Sequence, residues 1–489
     1  MLPAMSTLDR LRRLHQVRPQ RTEREPEPLP PSPAPQQEQI SAPAIVKPQR
    51  AGKLETLVPG EVIENGNGLC YVVTERYPLH TQRGDQPLAH LLDHHPSTFA
   101  AFHPAFGLQA GIDFRQAVFL DTETTGLGGG AGVYCFMVGV GTFEEILDFR
   151  SLQDKFGILD SDPLDNLQSK IAPKGLPPKS KIEFVVRQFF MRHPGEEGAL
   201  LQALVELLEG YGMSVTFNGR TFDLPLLRTR LRQNQQIYPE LRGSGRLLQP
   251  EKPHLDLLHP ARRLWKRRLQ SCRLINLEAE ILGMQRSEED VPGQLIPQLY
   301  TDYVQSGNAS ELRRIFYHNR EDIVSMVSLA AQLSRLYQGT AAAEGATLHG
   351  LDWFSLGRCH EERGQMAEAE RAYHEAVARL HGNAAQAEVF RQLGQLLKRQ
   401  ARWDEAATIW QQWLTTVPTI DTVIDATPYE ELAKYCEWQC KDFEQAAMWT
   451  GWALHTLRTA PAWQQSSAHI TELEHRLARL QRKQQTISE

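Results

Sequence analysis

The stretch Phe119-Leu-Asp121-Thr-Glu123-Thr-Thr-Gly126 constrains this chain most: it is an apolar run of strand character that ends in two acids two residues apart. Alternate side chains of a strand point to opposite faces, so Asp121 and Glu123 project together, and adjacent carboxylates repel unless a cation sits between them. This is the outline of a hard-metal site. A bare Asp-x-Glu recurs by chance at this acid content, so the rest of the chain has to complete it.

With 489 residues there is room for two or three domains, and 41% hydrophobic with 23% charged residues is ordinary globular composition. The formal net charge of -6 gives no overall attraction for nucleic acid, so such binding needs a local basic patch. Six scattered cysteines without Cys-x-x-Cys pairs suit a reducing cytoplasm rather than a disulfide scaffold. Cys436 and Cys440 lie one helical turn apart, with no second Cys or His pair nearby to complete a zinc site. No apolar run reaches membrane-spanning length, so no membrane partner is expected.

Residues 6–14 carry leucines at helical spacing, and eight prolines between Pro26 and Pro48 describe an extended tether. Glu61 to Val73 reads as a β-hairpin around Asn65-Gly66. After the acidic pair, Gly126 to Gly132 looks like a dinucleotide loop. The β-branched and aromatic run Val133 to Gly141 that follows is a strand, whereas that loop requires a helix. Strands are expected at 182–190 and 213–217, with a surface insertion around 159–181. Helices are expected at 196–208 and from Asp223. Strands first in a meander and then alternating with helices imply a mixed sheet covered by helices.

Two further segments supply acids. Asp223 follows Asn218-Gly-Arg-Thr-Phe at a strand-to-helix turn, where open α/β sheets bind ligands, although an acid there is equally suited to cap the helix. In the helical pattern 309–333, His318 and Asp322 are four residues apart and share a face, whereas Tyr317 points elsewhere on a regular helix.

In the order and context of Asp121, Glu123, Asn218 to Asp223, and His318 with Asp322, the chain resembles the DEDD 3′-5′ exonucleases of the ribonuclease H-like superfamily. It is most similar to the YprB-type ribonuclease H-like family. The stretches His254-Leu-Asp-Leu-Leu258, Arg262-Arg-Leu-Trp-Lys266 and Asn276 to Gly283 share the likeness, which covers about residues 54–337. DEDD enzymes carry a His five residues before the last Asp or a Tyr four before it; here Tyr317 stands at five and His318 at four.

The resemblance implies two-metal phosphodiester hydrolysis with Mg²⁺ or Mn²⁺. Asp121, Glu123 and Asp322 would hold one ion, and Asp121 with Asp223 the second. Imidazole titrates near neutrality, so His318 is the expected base for the attacking water. Thr124 and Asn218 beside the acids are candidate nucleic-acid contacts. So is the acid-free segment with Arg262, Arg263, Trp265, Lys266, Arg267 and Arg268, which reads either as a phosphate-gripping patch with a stacking indole or as a solvated helix face with Trp265 in the core.

Beyond Gln338 to Gly345, a plausible hinge, Trp353, Leu356-Gly357, Ala369, Tyr373 and Ala376 fit a tetratricopeptide repeat. Leu393-Gly394, Ala406 and Trp410 repeat it, then Leu432-Ala433, Ala446 and Ala453, with a capping helix about 466–484. Such arrays bind a peptide or protein, or buttress a neighbouring domain.

The expected fold is thus an α/β ribonuclease H-like domain followed by an all-α tetratricopeptide-like region. Its parts are a Pro-rich tail (1–52), a β-hairpin lead-in (53–112), the exonuclease domain (113–337), a linker (338–348) and the repeats (349–489). The expected activity is metal-dependent 3′-5′ exonuclease action on single-stranded DNA or RNA. The alternatives are a catalytically weak nucleic-acid-binding adaptor and an endonuclease acting on RNA/DNA hybrids.

Overall fold

The computed structural model describes residues 52–100, 111–126, 132–147, 180–338, 348–381, 384–417, 425–463 and 465–488. The leucine-spaced segment 6–14, the proline-rich tether, the centre of the glycine loop, nearly all of the insertion and most of the linker lie outside them.

One helical turn, α1 (Leu54–Leu57), leads into β1 (Glu61–Asn65) and β2 (Gly68–Pro78), and a small ribbon, β3 (Gln82–Arg83) with β4 (Gln86–Pro87), follows. Next come β5 (Ala117–Thr124), β6 (Cys135–Leu147), β7 (Ser180–Phe190), α2 (Glu197–Leu208), β8 (Met213–Thr216), α3 (Asp223–Asn234) and β9 (His254–Asp256). Four helices complete this part: α4 (Leu258–Trp265), α5 (Leu274–Ile281), α6 (Ile296–Ser306) and α7 (Leu312–Tyr337).

Seven strands form one sheet in the order β1-β2-β7-β6-β5-β8-β9. The pairs β5–β8 and β8–β9 are parallel and the others antiparallel. This is the mixed sheet that the element order implies. The hairpin expected as a lead-in of its own is part of this sheet, because β2 pairs with β7 from Tyr71–Phe190 to Pro78–Glu183.

Two-residue alternation sorts β5 between two cores. Val118 and Leu120 pack with Leu200 and Leu204 of α2 and Leu227 of α3, while Ala117 and Phe119 pack with Ile323 and Val327 of α7. The sheet is therefore covered on both faces, and its acid-bearing strand is central rather than at an edge.

The C-terminal region is helical: α8 (Gly350–Glu362), α9 (Met366–Arg379), α10 (Ala384–Arg399), α11 (Trp403–Thr416), α12 (Thr427–Tyr435), α13 (Phe443–Thr459) and α14 (Ser467–Ser488). A Cβ on Gly357 would come within 2.6 Å of the Tyr373 ring, and one on Gly394 would overlap the Trp410 indole. Small residues therefore let α8 approach α9 and α10 approach α11 closely enough for the large partners to fill the gap. The core beneath α7 continues without a break through Trp353, Tyr373 and Trp410 to Leu432. A freely swinging hinge is incompatible with that shared core.

Candidate active site

Three segments far apart in sequence bring acids together where β5 and β8 end and α7 begins. On β5, Asp121 lies opposite Gly139 of β6, which lies opposite Gln188 of β7, so the three form one row across the sheet. With no side chain at Gly139, α7 lies close to the strand and Asn319 fills the space. A Cβ on Gly139 would overlap Asn319 Oδ1, and one on Gly141 would come within 2.6 Å of Ile323 Cγ2, one turn further along α7. The fully buried Asn319 donates from Nδ2 to Asp121 Oδ2 at 2.9 Å.

Asp223 arrives from the other side of β5, at the first turn of α3. Thr122, which alternates with Asp121 and Glu123, donates its hydroxyl to Asp223 Oδ1. The turn before it is held by Asp256, fully buried at the end of β9. Its Oδ1 accepts from Asn218 N at 2.8 Å and Leu258 N at 3.1 Å, and its Oδ2 from Arg220 N at 3.1 Å. These bonds hold Asn218 in the left-handed conformation, φ 67°, which asparagine tolerates better than most residues. Asn218 thus shapes the turn that aims Asp223.

The helix α7 is regular through Tyr317 to Asp322, so His318 and Asp322 share a face, and His318 Nε2 is 3.8 Å from Asp322 Oδ2. Tyr317 turns away: its hydroxyl accepts from Ser287 N at 3.0 Å, and the Arg320 guanidinium lies 5.2 Å above its ring. The segment between α5 and α6 supplies two more groups. Arg286 donates to Asp322 and, through Nε and Nη2 at 2.7 and 2.6 Å, to the buried Glu278. Asp290 Oδ1 is 2.8 Å from His318 Nδ1. That carboxylate is the acceptor for the Nδ1 proton, so Arg286 Nη1, 3.3 Å away, is a neighbour of the ring nitrogen rather than its donor.

The acids perturb one another. Burial raises the Asp121 carboxyl well above its usual range, and Asp322, Asp223 and Glu123 raise it further. Burial, with Asp322 and Asp223, pushes Glu123 up to about 8 against the opposing pull of His318. Burial carries Asp223 to about 6 although Thr122 donates to it. The surroundings of His318 act against the neutral imidazole expected from sequence. Burial lowers its pKa, but the Asp290 bond and the Asp322 and Glu123 charges outweigh burial and push it up to about 9. In these surroundings the imidazole is a cation at pH 7.

The other candidate contacts fall elsewhere. Thr124 donates its hydroxyl to Gly126 O at 2.8 Å. Trp265 is 1% exposed in the core, so its indole is not available to stack on a base. The arginines around it face the C-terminal helices. Arg263 pairs with Glu362, and Arg268 Nε lies 2.9 Å from Asp352 Oδ2. Arg267 Nη1 lies 3.1 Å from Glu388, with its guanidinium 4.9 Å above the Phe354 ring. Three cations of the expected phosphate-gripping patch thus join the sheet domain to the helices. Arg262 and Lys266 are exposed.

As the side chains stand, no three acidic, His or Cys groups among the described residues converge tightly enough to hold one ion. Asp322 is turned to Arg286 and Asp223 to Thr122. The donor set itself, four carboxylates of which Asp121, Glu123 and Asp223 are held by burial in an unfavourable state, has the chemistry of a hard divalent cation site.

Asn319, Gln188, Arg286, Asp290 and Asp256 were not among the residues expected from sequence. Gly139-Val-Gly141 within an otherwise bulky strand is the signal that marks the close approach of α7, and Asp256 lies inside a stretch already noted for its likeness. Arg286 and Asp290 have no local signal.

Residues 163–334 match a family model described as RNase_H superfamily, a span that includes Asp223, His318 and Asp322 and begins after Asp121 and Glu123. The chain is also 29% identical over 377 residues to the "Uncharacterized protein YprB" of Bacillus subtilis (strain 168), covering 76% of each protein. An RNase H-like domain is thus present, and nuclease activity is what that superfamily suggests. No helix among the described residues is long and apolar enough to cross a membrane.

Proposed function

We propose that the chain is a metal-dependent 3′-5′ exonuclease that hydrolyses phosphodiester bonds of single-stranded nucleic acid. The observation that carries this reading is the elevation of Asp121 and Glu123 by burial and by the neighbouring acids Asp322 and Asp223, with Asp223 itself raised by burial. A fold does not keep such a cluster for stability, because unpaired buried carboxylates are costly. The RNase_H-superfamily match and the ends of parallel strands β5 and β8 at the cluster support the same reading.

Asp121, Glu123 and Asp322 would hold one Mg²⁺ or Mn²⁺, and Asp121 with Asp223 the second. Two bound divalent cations would supply charge stabilisation for both the attacking and the leaving oxygen of an in-line displacement. Thr122 and Asn319 orient the acids at either side of β5. His318 faces the cluster through Nε2 while Asp290 holds Nδ1. Asp290 would keep the proton on Nδ1, and with the Glu123 and Asp322 charges compensated the remaining pull on Nε2 would weaken, so that Nε2 would be the atom to accept a proton from the attacking water. Tyr317, held at Ser287, has no part in that step.

The Arg286–Asp322 pair favours a second reading, a catalytically weak nucleic-acid-binding adaptor, because it already compensates one acid. In either reading α8–α14 act as a tetratricopeptide-like module for a peptide or protein, with Met448 and Trp452 exposed one turn apart on α13.

Purified protein with Mg²⁺ or Mn²⁺ on 5′-labelled single-stranded DNA and RNA tests the choice. A ladder that shortens from the 3′ end supports the exonuclease. Binding without cleavage supports the adaptor.

A further inference from the structure

The row Asp121–Gly139–Gln188 and the side chain that spans it carry one more step. Gln188 Nε2 donates to the backbone carbonyl of Phe316 at 2.8 Å and to Asn319 Oδ1 at 3.0 Å. A backbone carbonyl can only accept, so the Gln188 amide has to present its NH₂ group to α7. Asn319 then has to turn its oxygen toward Gln188 and its own NH₂ toward Asp121, where Nδ2 reaches Oδ2 at 2.9 Å and the main-chain oxygen at 3.4 Å. The chain of amides is polar in one direction. Its polarity is set by the helix backbone, and it ends as a donor at the acid.

Gln188 is 2% exposed and Asn319 is fully buried, so the two amides are bonded to each other out of contact with solvent. Among the described residues Asp121 Oδ1 receives no hydrogen bond.

We infer that Asn319, oriented by Gln188, is the positioning residue for Asp121: it commits Oδ2 to the buried amide and leaves Oδ1 as the oxygen available to a divalent cation. The inference rests on the metal-site reading of the acids. Gln188 touches no acid in the cluster, yet it fixes which face of the Asn319 amide Asp121 meets. Partners that orient a metal ligand from behind govern affinity without contacting the ion.

The test is calorimetric titration of the full-length protein with Mn²⁺, alongside thermal melting, for wild type, Asp121→Asn, Asn319→Leu, Gln188→Met and the double variant. Asn319→Leu should weaken Mn²⁺ binding by roughly tenfold or more. Gln188→Met should weaken it in the same direction, and the double variant should bind no more weakly than Asn319→Leu alone, since both act on one oxygen. A purely structural role would lower the melting temperature and leave the Mn²⁺ affinity of the folded protein unchanged. If Asp121→Asn loses the ion while Asn319→Leu and Gln188→Met bind as wild type does, the relay is wrong and the metal site stands. If Asp121→Asn binds as tightly as wild type, the metal site falls and the relay with it. Should Asn319→Leu fail to fold, Gln188→Met decides alone: wild-type affinity in that variant overturns the relay.

Discussion

One guanidinium nitrogen of Arg286 donates to both Asp322 and Glu278, so the last acid of the cluster is tied to a cation that is itself anchored from behind. Glu278 has a side chain only 1% exposed, and Arg286 is its partner through two nitrogens. The Arg286–Glu278 pair is buried, and Arg286 donates to Asp322 as Asn319 donates to Asp121.

Removal of that cation should therefore be costly. Arg286→Met is expected to destabilise the protein by about 3–5 kcal/mol, because it strands a buried carboxylate. Urea unfolding measures this. Arg286→Met with Glu278→Gln should recover much of the loss, and a cost under about 1 kcal/mol for Arg286→Met alone would show that Glu278 does not depend on it.

The two glycines of β6 separate packing from chemistry. Gly139→Ala forces a methyl group against Asn319 of α7, and Gly141→Ala forces one against the Phe184 ring of β7 and Ile323 of α7; each should cost about 1–3 kcal/mol of stability. Only Gly139→Ala disturbs the amide that holds Asp121. It should lose metal-dependent activity beyond the loss expected from stability, whereas folded Gly141→Ala should keep it. Equal activities in the two folded variants would contradict this.

How much of this was legible in the sequence follows from which interactions are local. The strand at Phe119, the helix from Asp223 and the shared face of His318 and Asp322 follow from periodicities of two and of 3.6 residues, and all three appear in the structure. The charge state of His318 depends on Asp290 and Asp322 at once, and no spacing rule on α7 reveals a partner 28 residues upstream. The basic segment misled for a related reason. Its acids are absent locally because they lie on α8 and α10, on Asp352, Glu362 and Glu388. Composition reported a charge surplus of which tertiary structure pairs Arg263, Arg267 and Arg268. The hairpin near Asn65 was visible as strands, but its membership in the main sheet depends on pairing with β7, more than a hundred residues away.

The basic segment now carries a different expectation. Arg267→Gln with Arg268→Gln should leave the salt dependence of nucleic-acid binding unchanged, since neither guanidinium is free for a phosphate. The same variant should lose about 1.5–3 kcal/mol of stability, because Asp352, with a side chain 3% exposed, loses a charged hydrogen-bond partner. A flattened salt slope with an unchanged melting temperature would restore the nucleic-acid reading.

Acid should destabilise the fold partly through His254. Its ring meets the Thr216 hydroxyl at 2.8 Å, and burial, with Arg220 and Arg228, pushes its pKa down to about 3. The folded form stays neutral while the unfolded chain takes up a proton near the ordinary value of about 6.5. This contribution is therefore fully present above about pH 6.5 and is lost as the pH falls toward 3, amounting to about 2 kcal/mol between pH 7 and 5. In His254→Gln, which keeps a donor for Thr216, the stability difference between pH 7 and 5 should shrink by that amount. An unchanged difference would mean that His254 does not drive it.

The most direct measurement compares wild type with Asp121→Asn and Asp322→Asn, purified and confirmed folded, on 5′-labelled single-stranded DNA and RNA with Mn²⁺ or Mg²⁺. Wild type should shorten the substrate from the 3′ end only when the metal is present, and both variants should lose at least about two orders of magnitude in rate, the scale on which one electrostatic contact to a transition state acts. Undiminished digestion by either variant, or digestion by wild type in excess chelator, would contradict the assignment of the acid cluster as a metal-dependent nuclease centre.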